Sequence, residues 1–197
     1  MTRQSTARTW VMSQPSGAYF TTADVPGTPA AVDSLLSRLA QSDGPIQRVR
    51  QGVYWRKPAP TRFGSARPDP ARAAIVAAGA GAGPAGASAA NSIGLSTQVP
   101  RRPHVAVVGR VPKGLDGVKL TARANPHRVL LTPTEVAVLE GLRDFERYAD
   151  IAWPQARQRL RRLASTGQIN LAKIAEVAAH ERRAGLRGRV ADLVGAK

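Results

Sequence analysis

The chain has no cysteine among its 197 residues. Disulfide staples, thiolate catalysis and cysteine-based zinc sites are therefore excluded. Aromatic residues make up only 5%, so any core must rest on aliphatic side chains and alanine. No apolar run approaches the roughly 20 residues that a membrane-spanning helix needs. The first residues also lack the apolar segment of a secretory signal. These absences predict a soluble, cytoplasmic protein with no membrane partner. Acidic groups are scarce too: 13 Asp+Glu stand against 29 Lys+Arg, a formal net charge of +16. A surplus of that size favours a polyanionic partner, and nucleic acid is the default. The excess lies at the ends. Residues 1–67 hold 9 basic and 3 acidic groups, residues 68–150 hold 10 and 7, and residues 151–197 hold 10 and 3.

Catalytic signatures are missing as well. His104, His127 and His180 are scattered, with no H-x-x-x-H or H-E-x-x-H spacing for a metal. There is no G-x-S-x-G, no G-x-x-x-x-G-K-[ST] and no kinase set. Glu135 and Glu140 read as a helix cap and a surface charge. No catalytic residue, metal or cofactor is expected.

Residues 28–58 carry the clearest pattern. Thr28 is a good helix N-cap, and Pro29 suits the first helical position because its missing N–H would be unpaired there. Val32, Leu35, Leu36 and Leu39 follow at i, i+3, i+4 and i+7, one face of a helix. Ala30, Asp33, Ser34, Ser37, Arg38 and Gln41 fall on the other face. Their short or hydrogen-bonding side chains suit base edges and phosphates in a major groove. The run 42–45, Ser-Asp-Gly-Pro, ends the helix. Residues 46–50 then form a strand, Gln51-Gly52 a tight turn, and residues 53–57 the returning strand. Ile46, Val49 and some of Val53 and Trp55 would face the core, leaving Arg48, Arg50, Arg56 and Lys57 for phosphates.

Upstream, residues 5–14 read as a helix with Ala7, Trp10 and Val11 on its apolar face. Tyr19-Phe20 is a short strand or an apolar lead-in, and Thr21 or Thr22 caps a very short helix over 22–25. Helix, strand or turn, short helix, helix and hairpin is winged helix-turn-helix order. The expected fold class is α+β: an N-terminal winged helix-turn-helix over 1–60, then a C-terminal domain over 61–197. The DNA-binding set is Thr22, Thr28, Ser34, Ser37, Arg38, Gln41, Arg48, Arg50, Gln51, Arg56 and Lys57.

Residues 58–70 hold four prolines and read as a linker, and Asp69-Pro70 starts a helix through Ala78. In the run 79–87, Gly81, Gly83 and Gly86 match G-x-G-x-x-G. Such glycines let backbone N–H groups approach a nucleotide's phosphates, though no clear strand precedes them. A close-packed or flexible turn is the other reading. Strands at 104–108, 118–122 and 128–131 predict a small antiparallel sheet over about 103–131. Helices should follow over about 133–195, beginning with a capping box at Thr132-Pro133-Thr134-Glu135. Arg157, Arg159, Arg161 and Arg162 form a second basic patch, either a solvated face or a partner contact.

Several strings together resemble the AbiEi-type antitoxins of type IV toxin–antitoxin systems. They are Arg48-Val49-Arg50-Gln51-Gly52-Val53-Tyr54-Trp55, the glycine run 79–86, residues 89–100 ending in Thr-Gln-Val-Pro, and Leu131-Thr132-Pro133-Thr134-Glu135-Val136 with the later Leu142-Arg143-Asp144. The resemblance implies an N-terminal winged helix that binds double-stranded operator DNA and represses its own operon. It also implies a C-terminal domain acting against a cognate nucleotidyltransferase-like toxin. An enzymatic antitoxin that modifies its toxin by nucleotide-dependent phosphotransfer, and a DNA-binding protein without sequence preference, are the alternatives.

Overall fold

The computed structural model describes residues 3–62 and 64–195. The chain is α+β and divides into two compact units, Met1–Ala77 and Ala78–Lys197. The boundary thus falls later than residue 60. The proline-rich segment is tied back to the first unit: the Asp69 backbone N–H donates to the Tyr19 hydroxyl, and the Arg72 guanidinium lies 5.9 Å from the Tyr19 ring centre.

The first unit runs α1 (Arg3–Ser13), β1 (Tyr19–Thr21), a 3-10 turn (Thr22–Asp24), α2 (Pro29–Leu39), β2 (Ile46–Arg50), β3 (Val53–Arg56) and α3 (Pro70–Ala78). Asp24 fixes the 3-10 turn by accepting from the Thr21 backbone N–H at 2.7 Å and the Thr21 hydroxyl at 2.8 Å. Strands β1, β3 and β2 form an antiparallel sheet in that order. Val32, Leu35, Leu36 and Leu39 of α2 pack with Ala7, Val11, Phe20, Ile46 and Tyr54. Phe20 stacks on Tyr54 at 5.9 Å and meets Trp10 edge-on at 5.5 Å. Gly52 closes the hairpin with φ +74°, a left-handed conformation that glycine adopts without steric cost.

One expectation inside the hairpin is corrected. Val49 stays half-exposed, and Tyr54 occupies the core instead. Arg48 pairs with Tyr54 and Arg50 with Val53, so a bulge lies between Arg48 and Arg50. A bulge inserts an unpaired residue and breaks the period-two alternation on which the expectation rested.

The second unit contains β4 (Gly83–Pro84), α4 (Gly86–Ser92), β5 (His104–Val108), β6 (Lys119–Arg123), a 3-10 turn (Pro126–Leu130), α5 (Pro133–Arg143), α6 (Phe145–Tyr148), α7 (Trp153–Ser165), α8 (Leu171–Ala179) and α9 (Ala184–Val194). Its sheet order is β4-β5-β6. The expected all-antiparallel sheet is corrected: β4 and β5 are antiparallel, but β5 and β6 are parallel. Gly109, Gly114 and Gly117, all at positive φ, let the intervening loop turn back and re-enter from the same end. Residues 128–131 are not a strand. Pro126 opens a 3-10 turn there, with the Asn125 side chain accepting from the His127 N–H.

Helix α5 lies at the centre, with every residue from Glu135 to Leu142 buried. Its start is the predicted capping box: the Thr132 N–H donates to Glu135 at 2.8 Å, and the Glu135 N–H donates to the Thr132 hydroxyl at 3.3 Å. Helix α4 ends in a Schellman motif. The Leu95 N–H reaches the Ala90 carbonyl at 2.7 Å and the Gly94 N–H reaches that of Asn91 at 3.0 Å, with Gly94 at φ +69°. The Ser96 hydroxyl then donates to Asp150 at 2.6 Å. That bond, with the Thr97 N–H, holds the Asp150 carboxyl below its ordinary pKa. Among the described residues, no helix is long and apolar enough to cross a membrane.

Candidate nucleic-acid interface

The exposed face of α2 and the β2–β3 hairpin enclose a cleft of about 620 Å³, lined by Thr22, Asp33, Ser37, Ala40, Arg48, Gln51, Gly52 and Tyr54. Four of the expected DNA-binding residues, Thr22, Ser37, Arg48 and Gln51, therefore meet in one concavity. The buried stripe of α2 fixes one wall, because seating Val32, Leu35, Leu36 and Leu39 in the core turns residues 33 and 37 outward. The hairpin fixes the other wall through Tyr54, whose ring is held on Phe20.

Ser34 and Arg38 are exposed beside the cleft, and with Ser37 they share one face of α2 by their spacing. Gln41, expected on the same helix face, lies past the end of α2 at Leu39, exposed in the turn that follows. The Arg38 Nε donates back to the Ser34 carbonyl at 3.3 Å, a weak restraint on an exposed side chain. Arg50 is half-exposed on the bulged strand.

Three residues of the expected set stand elsewhere. Thr28 is the N-cap residue of α2, with no side-chain capping bond, and it borders a separate hollow with Thr6, Pro26 and Gly27. The Arg56 Nη1 donates to the Pro45 carbonyl at 2.9 Å, and the Lys57 Nζ donates to the Ser42 carbonyl at 3.0 Å. These two cations brace the base of the hairpin against the loop that leaves α2. Asp33, which the sequence places on the polar face one turn before Ser37 but which was outside the expected DNA-binding set, also lines the cleft.

Gly81, Gly83 and Gly86, the three glycines of the expected phosphate loop, are closed off by protein, while Gly79 ahead of them is open. A Cβ on Gly81 would lie 2.7 Å from the Arg128 carbonyl carbon, and one on Gly83 would lie 2.6 Å from the Val136 Cβ. A Cβ on Gly86 would lie 3.0 Å from the His104 Nδ1. The run is a close-packed turn leading into β4 and α4.

The second basic patch does not assemble as one surface. Arg157 approaches Asp192 at 3.7 Å, and the Arg161 Nε donates to the Leu193 carbonyl at 3.1 Å, so both address α9. Arg159 packs over Gly94, where a Cβ would lie 2.5 Å from its guanidinium. Arg162 is exposed.

Glu140, expected on the surface, is fully buried. It accepts from the Arg123 Nε at 2.8 Å and the Arg128 Nη1 at 2.7 Å. Glu181 accepts from the Arg128 Nε at 2.7 Å and pairs with Arg143. Asn125 adds a 3.0 Å bond to Glu181. Burial alone would raise the Glu140 pKa. Hydrogen bonds from Arg123 and the charge of Arg128 outweigh it and hold the carboxyl below its ordinary value. Glu181 is lowered against the same burial effect, chiefly by Arg128. Elsewhere in this unit, burial lowers the pKa of His104, whose Nε2 lies 2.8 Å from the Thr121 hydroxyl. No group of three or more His, Asp or Glu residues among those described is placed to hold a metal ion.

No family model matches the chain, and no curated protein does. Among solved structures, the chain is similar to the crystal structure of the RV2827C protein from Mycobacterium tuberculosis. The TM-score is 0.44 at 16% identity, over 96% of this chain and 74% of that one.

Proposed function

We propose that the first unit is a winged-helix module that binds double-stranded operator DNA, with α2 entering the major groove and the β2–β3 hairpin flanking it. The cleft carries this reading: it sets a hydroxyl, an amide and an exposed guanidinium from two elements around one concavity. In the proposed roles Arg48 and Arg50 contact phosphate, while Ser34, Ser37, Arg38 and Gln41 face base edges. The surplus of positive charge supports a polyanionic ligand. Arg56 and Lys57 act as braces rather than phosphate contacts.

The resemblance to AbiEi-type antitoxins extends the proposal. The DNA bound is the operator of the protein's own operon, and the second unit neutralises a nucleotidyltransferase-like toxin in the cytoplasm. The closed glycine run favours neutralisation by binding over phosphotransfer.

Fluorescence anisotropy on DNA from upstream of the gene, against random duplex, tests the module. Arg38→Ala should weaken the operator complex by about 1–3 kcal/mol and relax preference at one position. Equal loss on random duplex refutes that role. Arg48→Ala should weaken both duplexes and flatten the salt dependence by about one phosphate contact. Co-expression with an adjacent nucleotidyltransferase-like protein tests the second half, and growth that is not restored refutes it.

A further inference from the structure

The second unit holds a cavity that the DNA reading leaves unused. It encloses about 410 Å³ beside the end of β6, the following 3-10 turn, the last turn of α5 and the link from α8 to α9. Arg123, Arg143, Arg182, His127 and His180 line it, and Glu181 is its carboxylate.

Charge does not balance there. Arg123, Arg128 and Arg143 share the carboxylates of Glu140 and Glu181, and Arg182 adds a fourth guanidinium on the wall. Four fixed positive charges thus meet two negative ones, and the Asp144 carboxylate, which also acts on Arg123, is balanced by Arg183 at 2.7 Å. Hydrogen bonding is also incomplete: the Nε of Arg143, on the cavity wall, is buried without an acceptor, and so is the Nη2 of Arg128, which does not itself line the cavity. The same wall carries two imidazoles, His127 and His180, stacked at 3.8 Å and 13°. Each ring has at least one N–H to donate.

We propose that this cavity binds the phosphoryl group of a small molecule. A phosphate monoester carries a charge of about −1.5 to −2 near neutrality, which matches the surplus of two, whereas a carboxylate would leave half of it uncompensated. Its three terminal oxygens accept from several directions at once, as donors on β6, α5 and the α8–α9 link require. The volume falls within the usual range for small-molecule sites and exceeds what a phosphate group alone fills. This site is independent of the proposed DNA-binding cleft.

Titrating the full chain at constant ionic strength tests the proposal, with inorganic phosphate in one arm and a nucleoside 5′-monophosphate in the other. Calorimetry and the imidazole NMR signals of His127 and His180 are the readouts. Saturable shifts of both rings are expected. Arg182→Gln and His180→Gln, both at exposed positions, should each weaken binding about tenfold, the scale of one charge-assisted hydrogen bond. Arg48→Ala in the first unit should change nothing. Tighter binding of the monophosphate supports the site and assigns it to a phosphorylated metabolite, while equal affinities support it and assign it to free phosphate. Overturning results are no saturation, saturation that survives both variants, loss on Arg48→Ala, or an Arg182→Gln effect seen only with duplex DNA.

Discussion

Replacing Glu140 by Gln should cost the second unit a large share of its stability. The Glu140 carboxylate is fully buried and bonded to Arg123 and Arg128, with Arg143 at 3.6 Å. Gln keeps one acceptor oxygen but turns an N–H₂ group towards guanidinium donors. Arg128, itself fully buried, then has only Glu181 to offset its charge. Removing one partner of a buried pair costs about 3–5 kcal/mol, against a total of roughly 5–15 kcal/mol for a typical domain. For a unit of this size that is a fall of about 10–20 °C in Tm. Calorimetry of Glu140→Gln should show one transition shifted and the transition of the first unit unmoved. Adding Arg123→Gln should cost less than the two single losses summed, because both remove the same bond. A loss below about 1 kcal/mol, or strict additivity, would refute the claim that the network offsets a buried charge.

Acid should destabilise the second unit first. Glu140, Glu181 and Glu135 all titrate below the ordinary carboxylate value of 4.5 when folded. A lowered folded-state pKa means stability that is complete above 4.5 and lost as pH falls through the folded values. Urea midpoints should therefore drop steeply below that pH, and more steeply in the natural chain than in Glu140→Gln. Gly83→Ala would press a methyl onto Val136 and the Pro133 carbonyl, so thermal melts should show about 1–3 kcal/mol of overpacking cost; an unshifted melt would argue for an open loop. Asp33→Ala removes the carboxylate from the cleft. Anisotropy should then show tighter binding to random duplex and a narrower operator preference, and an unchanged ratio would place Asp33 outside the interface.

The first unit was largely legible because its signals are local. Thr28-Pro29 starts α2, the apolar spacing sets its buried face, and Gln51-Gly52 closes the hairpin. The exposed half of the cleft follows from that stripe by elimination. The sheet of the second unit was not legible, since alternation within a strand says which face is buried and nothing about the direction of its neighbour. Glu140 was misread for a related reason. Taken alone, a glutamate on a helix is a surface charge. The clue was its company: residues 136–139 and 141–142 are all apolar or glycine, and a helix apolar on every side is a buried one. Arg128 gave no comparable signal. Its partners Glu140 and Glu181 lie 12 and 53 residues away, beyond the reach of any local pattern. Asn-Pro is a turn signal in any sequence, and the 3-10 segment starts at Pro126.

The strings that carry the antitoxin resemblance fall mostly on devices that hold the fold. Val53, Tyr54 and Trp55 are buried in β3. Residues 93–96 form the Schellman ending of α4 and the Ser96 bond to Asp150. Thr132 and Glu135 form the cap of α5, and Glu135 also accepts from the Asn170 N–H at 2.9 Å, pinning the start of α8. Most of these groups are spent on the fold, although Tyr54 also lines the cleft between α2 and the hairpin. The residues proposed to read DNA, Ser34, Ser37 and Arg38 on α2 and Gln41 in the turn after it, are exposed, where substitution costs the core little. Fold and specificity are therefore written on different residues. A resemblance built from the first kind constrains where a binding surface can be. Under the proposed function, the choice of operator depends on the second kind, and so does the proposed phosphorylated ligand of the second unit, through Arg182 and the His127–His180 pair.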